Sequence, residues 1–240
     1  MKPLLAVLLL TIPVPAASIV NGGQLLTQSN ANQLATWLGQ GDLIFSNVFS
    51  QTPISNGSTL FHAASDGIGP TFTVFQTNLG LVGGYDPLSW NSSGTYITDP
   101  TNAGRTAFIF NLSTTTLLRQ LLGDPNGQYQ TFNYGPYGPT FGGGHDLTVN
   151  SSNLGTGYAY SFSYGSGLGQ PNLFGVSNST GNPTFFNVSR VETYTFAPAA
   201  AQTAEPSTFL LCAGALVILS GLGRRYQNAT AGSPPINFRA

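Results

Sequence analysis

The chain has 240 residues, 41% hydrophobic and 12% aromatic, which is enough for one ordinary domain with a sizeable core. Only 6% are charged, against about a quarter in a typical globular chain, so Ser, Thr and Asn supply the polar surface. The only lysine is Lys2, the only cysteine Cys212 and the only methionine Met1, which excludes a Walker or Schiff-base lysine, a lysine-rich nucleic-acid footprint, disulfides and thiol catalysis in the body.

Residues 1–18 read as a signal peptide: Lys2 opens it, Leu4–Thr11 is apolar, Pro13 and Pro15 break it, and Ala16-Ala17-Ser18 offers small residues for cleavage. A first helix is predicted where Ala31, Leu34, Ala35, Trp37 and Leu38 recur at helical spacing, with Thr27 or Asn30 as N-cap and Gly39 as stop. A second, short helix is predicted over Thr114–Leu122, ending at Gly123. Elsewhere the period is two. Thr71–Phe75, Ala107–Phe110, Tyr129–Tyr134 and Val191–Phe196 read as strands. The clearest alternation is YAYSFSY, which puts Tyr158, Tyr160, Phe162 and Tyr164 on one face. Short strands between Gly, Asn and Pro turns argue for an antiparallel sandwich rather than alternating β-α units.

Beyond the body come a Pro/Ala-rich linker, 198–207, and an uncharged apolar run from Phe209 to Leu222 followed by Arg224 and Arg225. The run is shorter than the ~20 residues of an ordinary membrane helix. Its linker and trailing arginine pair nevertheless match a span obeying the positive-inside rule, so a membrane segment is expected through 208–223. Between residues 19 and 204 there are three bases (Arg105, Arg119, Arg190) against seven acids, leaving the exported part near −4.

Glu205-Pro206-Ser207-Thr208, the apolar run and Arg224-Arg225 together resemble a bacterial PEP-CTERM sorting signal, here 208–225 with Glu205 and Pro206 before it and a short tail, 226–240, after it. The resemblance implies an exosortase-type processing enzyme as partner, and export to the cell envelope.

Five segments in order resemble the TLDc domain over 24–197: LLTQSNANQLATWLG, LFHAASDGIGPTFTVFQ, GLVGGY with Trp90 and AFIFNL, YGPTFGGGHDLTV, and RVETYTF. The most specific is the fourth, with Gly138, Pro139, Phe141, Gly142, Gly143, Gly144, His145 and Asp146. The family implies a mainly β fold with flanking helices, a two-sheet antiparallel β-sandwich, to which this chain would add the C-terminal membrane helix. It brings no agreed catalytic mechanism.

Physically, the triple glycine permits positive φ and close approach, and Asp146 is placed to accept backbone N–H bonds in that turn. A phosphate cradle is disfavoured, since no lysine and no following helix signature accompany the glycines. A Ser-His-Asp enzyme would have to use His62 or His145 with Asp66 or Asp146, and Ser58 or Ser65 as nucleophile, yet no G-x-S-x-G elbow exists. A metal site from His62, Asp66, His145 and Asp146 must contend with neighbouring strand residues pointing to opposite faces. Structural histidines are therefore expected, with no catalytic residue, no metal and no cofactor. The expected function is a non-catalytic binding or protective module taking an envelope or matrix glycan or protein and no nucleic acid. The alternative is a small extracytoplasmic hydrolase or oxidant-handling enzyme using His62 or His145.

Overall fold

The computed structural model describes residues 17–123, 125–177 and 182–199. The chain divides into two units, 1–199 and 200–240, and every described residue belongs to the first. Most of the signal peptide, most of the linker, the sorting segment and the tail thus lie outside the described residues. Among those described, no helix is long and apolar enough to cross a membrane.

The body is mainly antiparallel β. In chain order come β1 (Ser18–Val20), α1 (Gln28–Leu38), β2 (Leu43–Gln51), α2 (Gly57–Ser65), β3 (Thr71–Thr77), β4 (Gly80–Asp86), β5 (Thr95–Ile97), β6 (Phe108–Asn111) and β7 (Thr116–Arg119). A 3-10 turn, Pro125–Gln128, leads to β8 (Thr131–Asn133), β9 (Thr140–Phe141), β10 (Leu147–Thr148), β11 (Thr156–Ala159) and the long β12 (Thr184–Pro198). The strands follow one path, β5-β8-β9-β10-β11-β12-β3-β4-β6-β7, with β2 also against β12 and β1 parallel to β2. β12 is the hinge of this path. Its start, Thr184–Asn187, pairs with β11, whereas its remainder lies between β2 and β3.

The two halves of the path face each other across one core, where Phe75, Val82 and Ile109 meet Trp90, Phe141 and Leu147. A second core lies on the opposite face of the β3-β4-β6 half, where Ala31, Leu34 and Ala35 of α1 cover Phe45, Phe72, Val74 and Phe108. Both faces of β3 are consequently buried, so TFTVF has no solvent side despite its strand period. α1 forms as its sequence predicts. Thr27 Oγ1 accepts from Asn30 N–H at 3.3 Å, and Gly39 closes the helix at φ 74°, its N–H reaching Ala35 O at 2.9 Å.

Two expectations are corrected, and one element is added. The helix over Thr114–Leu122 is instead the return strand of a hairpin, β7 paired to β6 from Phe108↔Arg119 to Asn111↔Thr116. Asn111 Oδ1 takes the N–H groups of Ser113 and Thr114, which turns the chain, and Thr114-Thr115-Thr116 is a β-branched run with poor helix propensity. The strand through Tyr158–Tyr164 ends at Ala159. Tyr164 lies inside, 1% exposed, with its hydroxyl on Gln130 O at 2.7 Å, so it does not share a face with Tyr158. Helix α2 was not anticipated as a helix: Asn56 at its start makes no side-chain cap, and its buried stripe of Ser58, Phe61, His62 and Ser65 is mostly polar.

Candidate functional site

The glycine-rich segment is the β9-β10 hairpin, tied by Gly138 N–H to Val149 O at 2.8 Å and Val149 N–H to Pro139 O at 3.0 Å. Phe141 points into the core against Trp90, ring centroids 5.3 Å apart. Gly142, at φ 84°, begins the turn, and a Cβ there would run into the Asp146 carboxylate. Gly143 and Gly144 pass beneath the rings of Tyr129, Tyr160 and Phe162, with no room for side chains.

Asp146 is 1% exposed. Most of its donors come from the segment after β11, namely Phe162 N–H at 2.7 Å, Ser163 N–H at 2.8 and 3.0 Å, and Tyr164 N–H at 3.0 Å, joined by the backbone N–H of Asp146 itself. Burial pushes the Asp146 carboxyl up to about 7, against the pull of those backbone donors. The carboxyl therefore clamps 162–164, beyond the end of β11, onto the hairpin.

His145 adopts φ 56° and leans the other way, to the outer face of the sheet. There, Tyr96 on β5 pairs with Phe132 on β8, and Tyr158 on β11 pairs with Phe185 on β12. Between them the same face carries only Thr140 and Thr148, whose hydroxyls meet at 2.7 Å. The imidazole of His145 fills the gap above these short residues. It stacks on Phe132 (5.5 Å, 21°) and on Tyr158 (5.9 Å, 20°), and its Nδ1 lies 2.8 Å from the Tyr158 hydroxyl. Burial holds the His145 pKa below its ordinary value. The result is one aromatic row across the strands, Tyr96, Phe132, His145, Tyr158, Phe185, joined by contacts of 4.7 Å between the first two rings and 5.9 Å between the last two. Phe185 is 72% exposed and Tyr96 38%, while Tyr134 and Tyr137 flank the row.

His62 lies elsewhere, at the end of α2, in a polar surface cleft of about 390 Å³ with Ser58, Ser92 and Pro136. Its Nδ1 faces Asp66 Oδ1 at 2.7 Å and its Nε2 faces the Tyr137 carbonyl at 3.1 Å. Asp66 also accepts from Ser92 Oγ at 2.8 Å. The His-Asp pair of the hydrolase reading thus exists, but the nitrogen a general base would use is turned to a backbone carbonyl. His62 and His145 belong to separate clusters, and among the described residues no three His, Cys, Asp or Glu side chains converge as metal ligands.

Two buried carboxylates escaped the sequence reading. Glu192, fully buried on β12, accepts from Gln24 and Leu25 N–H at 2.9–3.0 Å, Ser50 Oγ at 2.9 Å and Tyr194 hydroxyl at 2.5 Å. Burial opposes its charge, but those hydrogen bonds prevail and hold its carboxyl below the ordinary range. It anchors the segment entering α1. Asp86, also fully buried, accepts from Leu88 N–H at 3.0 Å and Gln130 Nε2 at 2.8 Å through Oδ1, while Oδ2 has no partner among the described residues. Neither has a local signal, because their partners lie up to 168 residues away. The aromatic row did have one, the isolated rings at strand centres, but which rings share a face depends on register. Compared with known protein families and with curated proteins, the chain matches none.

Proposed function

We propose that this chain is an exported TLDc-like domain, a non-catalytic binding module of the bacterial cell envelope that engages its ligand through the outer aromatic row. In this reading residues 208–223 tether it to the cytoplasmic membrane, and an exosortase-type enzyme cuts near Glu205-Pro206. The observation that carries it is the row itself. A string of rings left partly open to water, with His145 stacked between Phe132 and Tyr158 and the end rings Tyr96 and Phe185 meeting their neighbours at 42° and 65°, is costly for a protein to display unless it meets a partner. The ordered TLDc-like segments, the antiparallel body covered by α1 and the PEP-CTERM-like end support the same assignment. Ala17 is buried and its N–H donates to Asn32 Oδ1 at 3.0 Å, and Ser18 opens β1 opposite Ile44, so a signal-peptide cut after residue 18 would remove both contacts.

The hydrolase alternative lacks such support, since both histidines are engaged internally and neither addresses a serine. Epitope tags at both ends, read by protease accessibility and membrane fractionation, test the topology. The body is expected outside the cytoplasmic membrane, with 226–240 inside until processing. An intact chain soluble in the cytoplasm overturns the proposal.

A further inference from the structure

We propose that the aromatic row binds a neutral polysaccharide chain, laid across the strands so that successive sugar rings stack on Tyr96, Phe132, Tyr158 and Phe185. This deepens the reading of the domain as an envelope-binding module and rests on it.

The chemistry of the row selects the occupant. A pyranose presents a face of C–H bonds and a rim of hydroxyls, so it stacks on the electron-rich face of an aromatic ring while its rim meets polar neighbours. The segments that build this face, 95–97, 129–149, 156–164 and 184–187, contain one acid, Asp146, and no lysine or arginine. Asp146 is buried beneath the hairpin, and His145 is held toward its neutral form. Without cations the face offers nothing to a phosphate backbone or an acidic polymer. A protein partner is usually held by buried anchors enriched in Trp, Tyr and Arg within a polar rim, and the segments of this face hold neither tryptophan nor arginine.

Geometry adds length and stiffness. The row crosses from β5 to β12, and with strands ~4.8 Å apart it extends ~24 Å, the reach of an oligosaccharide rather than of one sugar. Tyr96 is locked by its hydroxyl donating to Gly143 O at 3.0 Å, and Tyr158 by its hydroxyl against His145. Rings fixed in advance lose little freedom on binding, so each stack contributes more of its energy to affinity.

The test uses the detergent-solubilised full chain with a soluble neutral β-glucan and a neutral galactomannan, against polygalacturonate and heparin. Affinity electrophoresis is run at low and high salt, with light scattering in parallel and retention on isolated envelopes as a separate readout. Retardation by at least one neutral glycan, unchanged by salt, is expected. Phe185→Ala should weaken it about tenfold, the loss of one aromatic contact, and Phe185→Trp should preserve it. Phe185 is so exposed that neither change threatens folding, which circular dichroism checks. Failure on both neutral glycans, binding confined to the acidic polymers, or a Phe185→Ala variant that binds glycan like the wild type overturns the proposal. If neutral glycans fail while Phe185→Ala still releases the protein from envelopes, the glycan is wrong and the envelope-binding reading stands. If Phe185→Ala only dissolves a dimer, the face belongs to a second copy and both readings fall.

Discussion

Asp146 takes three successive backbone N–H groups that no strand partner claims, and its loss would leave them buried without acceptors. At ~1–3 kcal/mol for each stranded buried group, with partial relaxation, Asp146→Ala should destabilise the body by roughly 3 kcal/mol or more. Asp146→Asn should recover much of that, because an amide oxygen at the Oδ1 position keeps the contacts to Phe162, Ser163 and Tyr164. Urea unfolding of both variants checks the order. An alanine variant that unfolds like the wild type yet loses binding would make Asp146 a ligand contact instead of a clamp. The sequence marks Asp146 as an acceptor, since a carboxylate beside three glycines has few other tasks. It does not mark the donors, which come from a segment that reads as regular strand.

At the scale of elements, β4 depends on close approach. Gly84 packs against the far end of the Phe141 ring from the opposite half of the path, and a Cβ there would lie 2.5 Å from it. Phe141 is fully buried between the halves and cannot yield. Gly84→Ala should therefore cost ~1–3 kcal/mol as an overpacked core, lowering the melting temperature. Gly135→Ala is the control: its new methyl would meet nothing nearer than Ser92 Cβ at 3.8 Å, and a shift within ~0.5 kcal/mol is expected. Equal shifts in the two variants would refute this account of how the halves approach. Element type was legible where capping and period agreed, as at α1 with Thr27 and Gly39. Over 114–122 the type was not legible, because four leucines and an arginine fit either state and the turn at Asn111 decided for the strand.

At the scale of the whole molecule, buried acids should set how stability varies with pH. Burial raises the Asp86 carboxyl from 3.8 to about 6, against the pull of Leu88 N–H and the Gln130 amide. Between those values the folded state holds a proton that the unfolded chain has released. Stability from this group is therefore complete below about pH 4 and is lost as pH rises through about 6, a change of roughly 3 kcal/mol. Asp146 acts in the same direction up to about 7. His145 acts oppositely: the unfolded chain protonates first as pH falls below about 6.5, so its contribution is lost on the acid side. With two carboxyls against one imidazole, urea midpoints should be higher at about pH 5 than at about pH 8. Asp86→Asn should flatten the part of the profile between about 4 and 6, and an unchanged profile would place the titration elsewhere. The sequence by itself determined the mainly antiparallel class, the first helix with its caps and the absence of thiol and lysine chemistry in the body, because these follow from local period, capping and composition. The outer aromatic row, the union of both halves through β12 and the burial of Asp86 and Glu192 were decided only by tertiary structure. Each depends on which distant strands pair and in what register, and a slip of one residue in a strand would turn that strand's ring to the other face.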